Sequence, residues 1–213
     1  MIHAVPPRAG RARQSGKIPA VTAEFFLGAM SPYSWLSAER IGNILPDAEW
    51  RPVYLGGLFK ANGRTSWGLT PERTAGMREC EARAAAYGLG PIRWPDPWPT
   101  DDLFVARAMV FTQRHGLLQR FALAAMRLAF REGVDIGRLD AMLESGVRVG
   151  IDAGELAGAV EDRAIKAELR AVTERTAALG VFGVPTVRIG ETLLWGYDRL
   201  EEAATHARST AGG

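Results

Sequence analysis

The sequence predicts an α/β fold in which two short β-containing units flank a long helical block. Strand, helix and strand patterns follow one another over residues 21–55, helical periodicity fills most of residues 71–179, and two strands and a helix occupy residues 184–207. We expect one discontinuous α/β domain, made of residues 21–70 and 180–208, around a helical lobe at residues 71–179.

The N-terminal unit begins with the β-rich run at residues 21–30, which predicts a buried strand. Ser31 is a good helix N-cap and Pro32 suits the first helical position. Residues 48–55 alternate as a second strand, and Pro52 indicates that it lies at an edge or ends early, because proline cannot donate to a sheet.

A Gly-rich loop is predicted at residues 56–68, and the four prolines of GPIRWPDPWP exclude regular structure later in the block. Spacing and composition predict helices at 71–88, 101–115, 117–132, 138–147, 153–158 and 161–179. The C-terminal unit should contain strands at 184–190 and 191–196 and a helix from Asp198 to about Ala207.

Charge argues against a nucleic-acid partner. The chain has 26 basic and 24 acidic residues, but residues 1–20 hold four of the bases and no acid. The remainder therefore has 22 bases against 24 acids, a balance of −2, which gives no basic footprint for DNA or RNA.

The two ends of the chain lack the apolar periodicity that predicts helices or strands. Residues 1–20 contain Pro and Gly without a periodic apolar face, so we expect a disordered basic tail there and a disordered end at residues 209–213. The sequence has no secretory signal pattern and no run of about 18 apolar residues, so we expect a cytoplasmic protein without a membrane span.

Cys80 is the one cysteine in the sequence. It excludes an intramolecular disulfide, a CxxC redox pair and a cysteine-based zinc cluster, and no metal site is expected. In an Ala-rich helix, such a cysteine is more often a small buried residue than a nucleophile.

Three short segments have both a structural and a chemical interpretation. Ser31 either only caps its helix or also faces an anion at the positive end of the helix dipole. Pro185 either begins a strand or follows a cis peptide bond that exposes a backbone to a peptide-like ligand. Asp198 either caps the last helix or holds one end of a zwitterionic ligand.

Four segments together resemble a known family over residues 22–207: FFLGAMSPYSWLSAERI, WRPVYLGGLFKANG, WPDPWPTDDLFVAR and GVFGVPTVRIGETLLWGYDRL. They are similar to the 2-hydroxychromene-2-carboxylate isomerase and kappa-class glutathione transferase family, a glutathione-dependent branch of the thioredoxin fold related to periplasmic disulfide oxidoreductases. The resemblance implies a thioredoxin-like fold with a large helical insertion, glutathione as cofactor and a homodimer.

The resemblance also implies roles for residues of the first turn. Ser31 stands at the position of the first redox cysteine and would be the catalytic residue, hydrogen-bonding the glutathione sulfur and supporting its ionised form. Ser34 stands at the second redox position, and Tyr33 would contact the cofactor. The thiolate would therefore come from the ligand.

Further cofactor contacts are implied near the C-terminus. Val184, before Pro185, would pair with the cysteinyl backbone of glutathione, and Tyr197 with Asp198 would hold its γ-glutamyl end.

Other candidates lie in loops and near the lobe. Arg64 stands where the family often has a cofactor-binding Asn, and it would either pair with a carboxylate of the cofactor or substrate or point into solvent. Lys60 and Trp67 are candidate substrate contacts, and Trp67, Trp94 and Trp98 would either line an aromatic pocket or pack in the core.

The resulting hypothesis is a glutathione-dependent isomerase that acts on an aromatic, unsaturated 2-oxo acid by reversible thiolate addition. One alternative is a kappa-class-like glutathione transferase or peroxidase. Another is a thioredoxin-fold binding protein without catalysis, because a fold does not determine a function.

Overall fold

The computed structural model describes residues 22–211, so the predicted tail at residues 1–20 lies outside the described residues. Its elements are β1 (Glu24–Leu27), α1 (Pro32–Ile44), β2 (Glu49–Pro52), α2 (Leu55–Ala61), α3 (Arg73–Ala86), α4 (Leu103–Arg114), α5 (Leu118–Glu132), α6 (Leu139–Val147), α7 (Ala153–Glu161), α8 (Arg163–Ala178), β3 (Thr186–Ile189), β4 (Thr192–Trp195) and α9 (Leu200–Ala211). A single 3₁₀ turn, Trp67–Leu69, lies between α2 and α3.

The four strands form one mixed sheet in the order β2-β1-β3-β4. β1 and β2 are parallel, with Phe25 opposite Trp50, whereas β3 is antiparallel to both β1 and β4. The prediction that the strand containing Pro52 lies at an edge is confirmed. The predicted thioredoxin-like fold with a helical insertion is also confirmed, because helices α2–α8 all lie between β2 and β3 along the chain.

The main core joins one face of the sheet to the helical block. α1 packs on α5, and α5 packs in turn on α4 and α6. The largest fully buried side chains of this core include Trp35, Phe25, Phe121, Phe130, Met109 and Met126. Burying each large apolar side chain contributes about 1.5–3 kcal/mol, so the insertion is part of the folded body rather than an appendage.

The predicted Gly-rich loop at residues 56–68 is wrong in its first half, because α2 begins at Leu55. The glycines serve close packing. A Cβ on Gly57 would lie 2.8 Å from Cδ1 of Tyr54 and 3.2 Å from Cγ2 of Thr173, so Gly57 lets α2 approach α8.

The end of the chain also differs from the prediction. The last helix begins at Leu200 rather than Asp198 and continues to Ala211, so residues 209–211 are helical and not disordered. Residues 212–213 lie outside the described part. The buried side chains of Leu200 and Ala203 anchor this helix to the main core.

Candidate functional site

A cleft of about 720 Å³ opens where the sheet meets the helical block. Its walls come from the β1–α1 turn, the start of α2, the segment before α3, residues 98–102 and the turn before β3. Its size is that of a small-molecule site. Six aromatic residues line it: Tyr33, Tyr54, Phe59, Trp67, Trp98 and Trp195.

Ser31 lies on the cleft wall as the N-cap of α1. Its Oγ accepts a hydrogen bond from the Ser34 N–H at 3.2 Å, which satisfies one amide of the first helical turn. The predicted capping role is therefore confirmed. Because the oxygen is used as an acceptor, the hydroxyl hydrogen remains to donate to an anion in the cleft.

Ser34, the other serine of this turn, has a different environment. It is fully buried, and its Oγ accepts a weak hydrogen bond from the Gly28 N–H at 3.4 Å. Ser34 does not belong to the cleft lining. Of the two serines at the redox-type positions, only Ser31 faces the site.

The turn before β3 presents a backbone to the same cleft. The Val184–Pro185 peptide bond is cis, and Val184 lines the cleft. Neighbouring carbonyls are occupied, since that of Gly183 accepts from Thr186 Oγ1 at 2.8 Å and that of Pro185 accepts from the Gly196 N–H at 3.0 Å. Within residues 22–211, the N–H and C=O of Val184 have no hydrogen-bond partner.

Tyr33 lines the cleft and is fixed from behind by Tyr197. The two rings stack with centroids 5.1 Å apart and an interplanar angle of 8°. Both hydroxyls donate to the Glu79 carboxylate, at 3.0 Å from Tyr33 and 2.8 Å from Tyr197. Burial and then Glu79 raise the pKa of Tyr197 to about 12, and burial raises that of Tyr33 well above its usual range. Both tyrosines are neutral donors at neutral pH.

Cys80 is fully buried beside Tyr33, as the sequence predicts for a small helix residue. Burial is the main cause that raises the pKa of its thiol to about 12. A neutral buried thiol is neither a nucleophile nor a metal ligand. Cys80 therefore does not supply a thiolate to the cleft.

The predicted tryptophan wall is found in part. Trp67 and Trp98 line the cleft with their centroids 5.0 Å apart, whereas Trp94 packs against Trp98 and is not part of the lining. Trp98 Nε1 donates to the Met30 carbonyl at 3.3 Å, which fixes this wall against the Ser31 turn.

Arg64 lies at the mouth of the cleft. Its Nη1 donates to the Phe182 carbonyl at 3.3 Å, and its guanidinium lies 5.1 Å from the Phe182 ring centroid and 5.4 Å from that of Trp195. It is the only Lys or Arg among the described residues that line the cleft.

Four predicted site residues are not part of the cleft lining. These are Lys60, Pro185, Tyr197 and Asp198. Lys60 is exposed on α2 and Asp198 is exposed ahead of α9, while Tyr197 acts on the site through Tyr33. Ser31, Tyr33, Arg64, Trp67 and Val184 all line this one cleft.

Asp102 lines the cleft and was missed by the sequence reasoning. It occupies the N-cap position of α4, but it does not cap: the adjacent Asp101 accepts from the Leu103 N–H at 3.0 Å instead. Asp102 is 2% exposed, and its Oδ2 has no hydrogen-bond partner within the described chain.

The ionisation of Asp102 reflects this burial. Burial and then the charge of Asp101 raise the pKa of its carboxyl to about 7, while nearby backbone amides, including those of Met30 and Leu55, offset part of the rise. A carboxyl group that changes protonation near neutral pH therefore lies near the backbone of Met30, the residue that precedes Ser31.

Two structural absences concern residues 22–211 alone. No group of three or more His, Cys, Asp or Glu side chains is placed to hold a metal ion. None of the helices in this range is long and apolar enough to cross a membrane.

Fold and cleft together define a thioredoxin-type protein without a redox cysteine pair. The family model of the DsbA-like thioredoxin domain matches residues 22–207, and the chain belongs to this family. It is 25% identical to a 2-hydroxychromene-2-carboxylate isomerase of Sphingobium xenophagum over 190 residues, 84% of this chain and 94% of the relative. It is 26% identical to glutathione S-transferase kappa 1 of Homo sapiens over 206 residues, 87% and 90% of the two chains.

Solved structures agree on the fold. A 2-hydroxychromene-2-carboxylate isomerase superposes with a TM-score of 0.78 at 17% identity, covering 88% of this chain and 95% of the other. The cytosolic disulfide reductase DsbM of Pseudomonas aeruginosa superposes with a TM-score of 0.60 at 15% identity, covering 89% and 96%. The relatives known by sequence are an isomerase and a glutathione transferase, so the chain is related to enzymes of small molecules.

Proposed function

We propose that this protein is a glutathione-dependent isomerase of an aromatic, unsaturated 2-oxo acid. The observation that carries the proposal is the placement of Ser31 and the unpaired backbone of Val184 on one cleft. The first group suits a sulfur anion, and the second suits a peptide. Glutathione combines both chemistries in one molecule.

The donor set of the cleft fits glutathione. Val184 offers one N–H and one C=O, which is the pairing that an extended peptide makes with a strand edge. Ser31 offers a hydroxyl hydrogen at the N-terminus of α1, where the helix dipole also favours an anion. Arg64 offers a guanidinium for a carboxylate at the mouth of the cleft.

Bound glutathione would supply a thiolate that adds reversibly to a conjugated double bond and so permits rotation about it. The residues of the chain would position the reactants. Trp67, Trp98 and Tyr33 offer aromatic faces to an aromatic ring. Arg64 would bind the carboxylate of either glutathione or the substrate.

The remaining predicted contacts have specific roles in this proposal. Tyr197 would act as a positioning residue because its hydroxyl is bonded to Glu79 and its ring stacks on Tyr33. Asp198 is exposed outside the cleft lining, so it would meet the γ-glutamyl amine only of a glutathione that extends beyond the cleft. Lys60, exposed on α2, would need a substrate that extends beyond the cleft. A homodimer and a cytoplasmic location remain predictions.

A kappa-class-like transferase is the second candidate, and the similarity to glutathione S-transferase kappa 1 favours it. It would use the same Ser31 and Val184 contacts. An isomerase returns glutathione unchanged, whereas a transferase consumes one molecule for each molecule of substrate. Measuring free glutathione during turnover separates the two.

The first experiment tests binding and ionisation. Millimolar glutathione should raise the melting temperature, and the ultraviolet spectrum should show a thiolate near neutral pH. Ser31→Ala should lose most of that thiolate absorbance while keeping the fold, because the variant removes one hydroxyl donor. Ser37→Ala, at another buried serine of α1, is the matched control and should keep it. If millimolar glutathione leaves the melting temperature unchanged, both enzymatic proposals fail.

A further inference from the structure

Asp102 has an unusual position for an aspartate at the start of a helix. Asp at an N-cap normally accepts from the first turn of its own helix. Here Asp101 does so, while the Asp102 carboxyl makes no cap hydrogen bond and lies near its own backbone amide and those of Met30 and Leu55. Helix capping therefore does not explain why the chain buries this carboxyl group beside the Ser31 turn.

The unpaired Oδ2 makes this position costly for folding. A buried polar atom without a partner loses its hydration and gains nothing in return, at a cost that native proteins rarely accept without a function. Because Asp102 lines the cleft, a ligand bound there would lie beside this incompletely paired carboxyl group.

We propose that Asp102 is the proton acceptor for the thiol of glutathione. This inference rests on the proposed function. The Asp102 carboxylate takes the proton: the S–H bond breaks and leaves its electron pair on sulfur, an O–H bond forms, and the net charge of the site is unchanged. The Ser31 hydroxyl then donates to the sulfur anion.

The electrostatics of the cleft favour this transfer. Two anions side by side in a buried site repel each other, so the cleft holds a thiolate more easily when Asp102 is neutral. Other charged or titratable groups also surround this site. The carboxylates of Asp101 and Glu72 line the cleft, as does Tyr54 at the start of α2. The nearby cation on α4 is Arg107. A free thiol has a pKa of about 8.5, close enough to that of Asp102 for the proton to move in either direction.

The test is an infrared difference spectrum on addition of glutathione at about pH 8. The intact protein should show the carbonyl band of a newly protonated carboxyl group, together with thiolate absorbance in the ultraviolet. Calorimetry in buffers of different ionisation enthalpy should find close to no proton released for each thiolate formed. S-methylglutathione, which has no thiol proton, should bind without the carboxyl band.

Asp102→Asn should lose the carboxyl band and release about one proton to the buffer for each thiolate formed. Asp140→Asn removes an exposed carboxylate on α6, outside the cleft lining, and should behave as the intact protein does. Thermal denaturation checks that each variant is folded. If the intact protein releases about one proton for each thiolate and shows no carboxyl band, Asp102 is not the acceptor although glutathione binds. If glutathione does not bind at all, the proposed function fails and this inference fails with it.

Discussion

At the scale of single residues, this protein separates two tasks that one side chain often performs. Ser31 and Asp101 cap helices, which is the ordinary work of Ser and Asp at such positions. Ser31 also has a hydroxyl hydrogen left for the cleft, and Asp102 is released from capping altogether. The groups available to a ligand at this site are therefore the hydrogen-bonding atoms that are not needed to cap α1 and α4.

Asp102 should make the stability of the protein depend on pH. In the unfolded chain the pKa of an aspartate is about 3.9, whereas burial raises it to about 7 in the folded state. The folded state therefore binds more protons between these values, and its stability falls as pH rises through this window. Asp102→Asn has no carboxyl group to ionise. Its free energy of unfolding relative to the intact protein should rise by up to about 4 kcal/mol between about pH 4 and pH 8.

Urea unfolding at several pH values measures this difference. Asp140→Asn, an exposed position on α6, is the control and should show no comparable gain with rising pH. A difference for Asp102→Asn that stays constant over the whole range would contradict the raised pKa.

At the scale of elements, helix packing determines the shape of the cleft. α3 crosses Trp67 so closely that a Cβ on Gly76 would lie 2.5 Å from its ring. Trp67 in turn contacts Tyr33 and Trp98, which also line the cleft. A glycine in the interior of α3 therefore keeps an aromatic side chain of the cleft in place.

Gly76→Ala should destabilise the protein by about 1–3 kcal/mol, because the methyl group overlaps a rigid indole ring. Helix propensity alone predicts the opposite sign, a gain of about 1 kcal/mol. Gly158→Ala in α7 is the matched control: nothing lies within 4 Å of its Cβ position, so it should stabilise. Chemical denaturation measures both, and two variants with equal stability would show that α3 shifts to relieve the overlap.

Sequence patterns predicted the elements whose formation depends on local composition. The helices from α3 to α8 are rich in Ala, Leu, Arg and Glu with clear periodicity, and their positions agree with the prediction within a few residues. α2 was missed because Gly56 and Gly57 are typical of loops, whereas here they allow close contacts with Tyr54 and, for Gly57, also with Thr173. Asp102 was missed for a similar reason, since a pair of aspartates before an apolar run predicts a cap. Which of the two turns toward the cleft depends on tertiary packing.

At the scale of the whole molecule, the site is built across the junction between the sheet and the helical block. Glu79 of α3 is one of the points where the two parts are connected beside the cleft. It accepts from Tyr33 on α1 and from Tyr197 ahead of α9, two residues far apart in the chain. The stacked tyrosines form a wall whose position depends on this one carboxylate.

Glu79→Ala should therefore lower both the stability of the fold and the affinity for glutathione. The loss of two hydrogen bonds to a charged acceptor should cost about 1–3 kcal/mol, and the exposure of Glu79 favours the lower end. Affinity should fall several-fold, because Tyr33 is no longer held in place and must be ordered when the ligand binds. Glu174→Ala, at an exposed glutamate of α8, is the control and should change neither quantity. Calorimetry and thermal denaturation measure the two effects, and a loss of stability with unchanged affinity would mean that the tyrosine pair supports the fold without shaping the cleft.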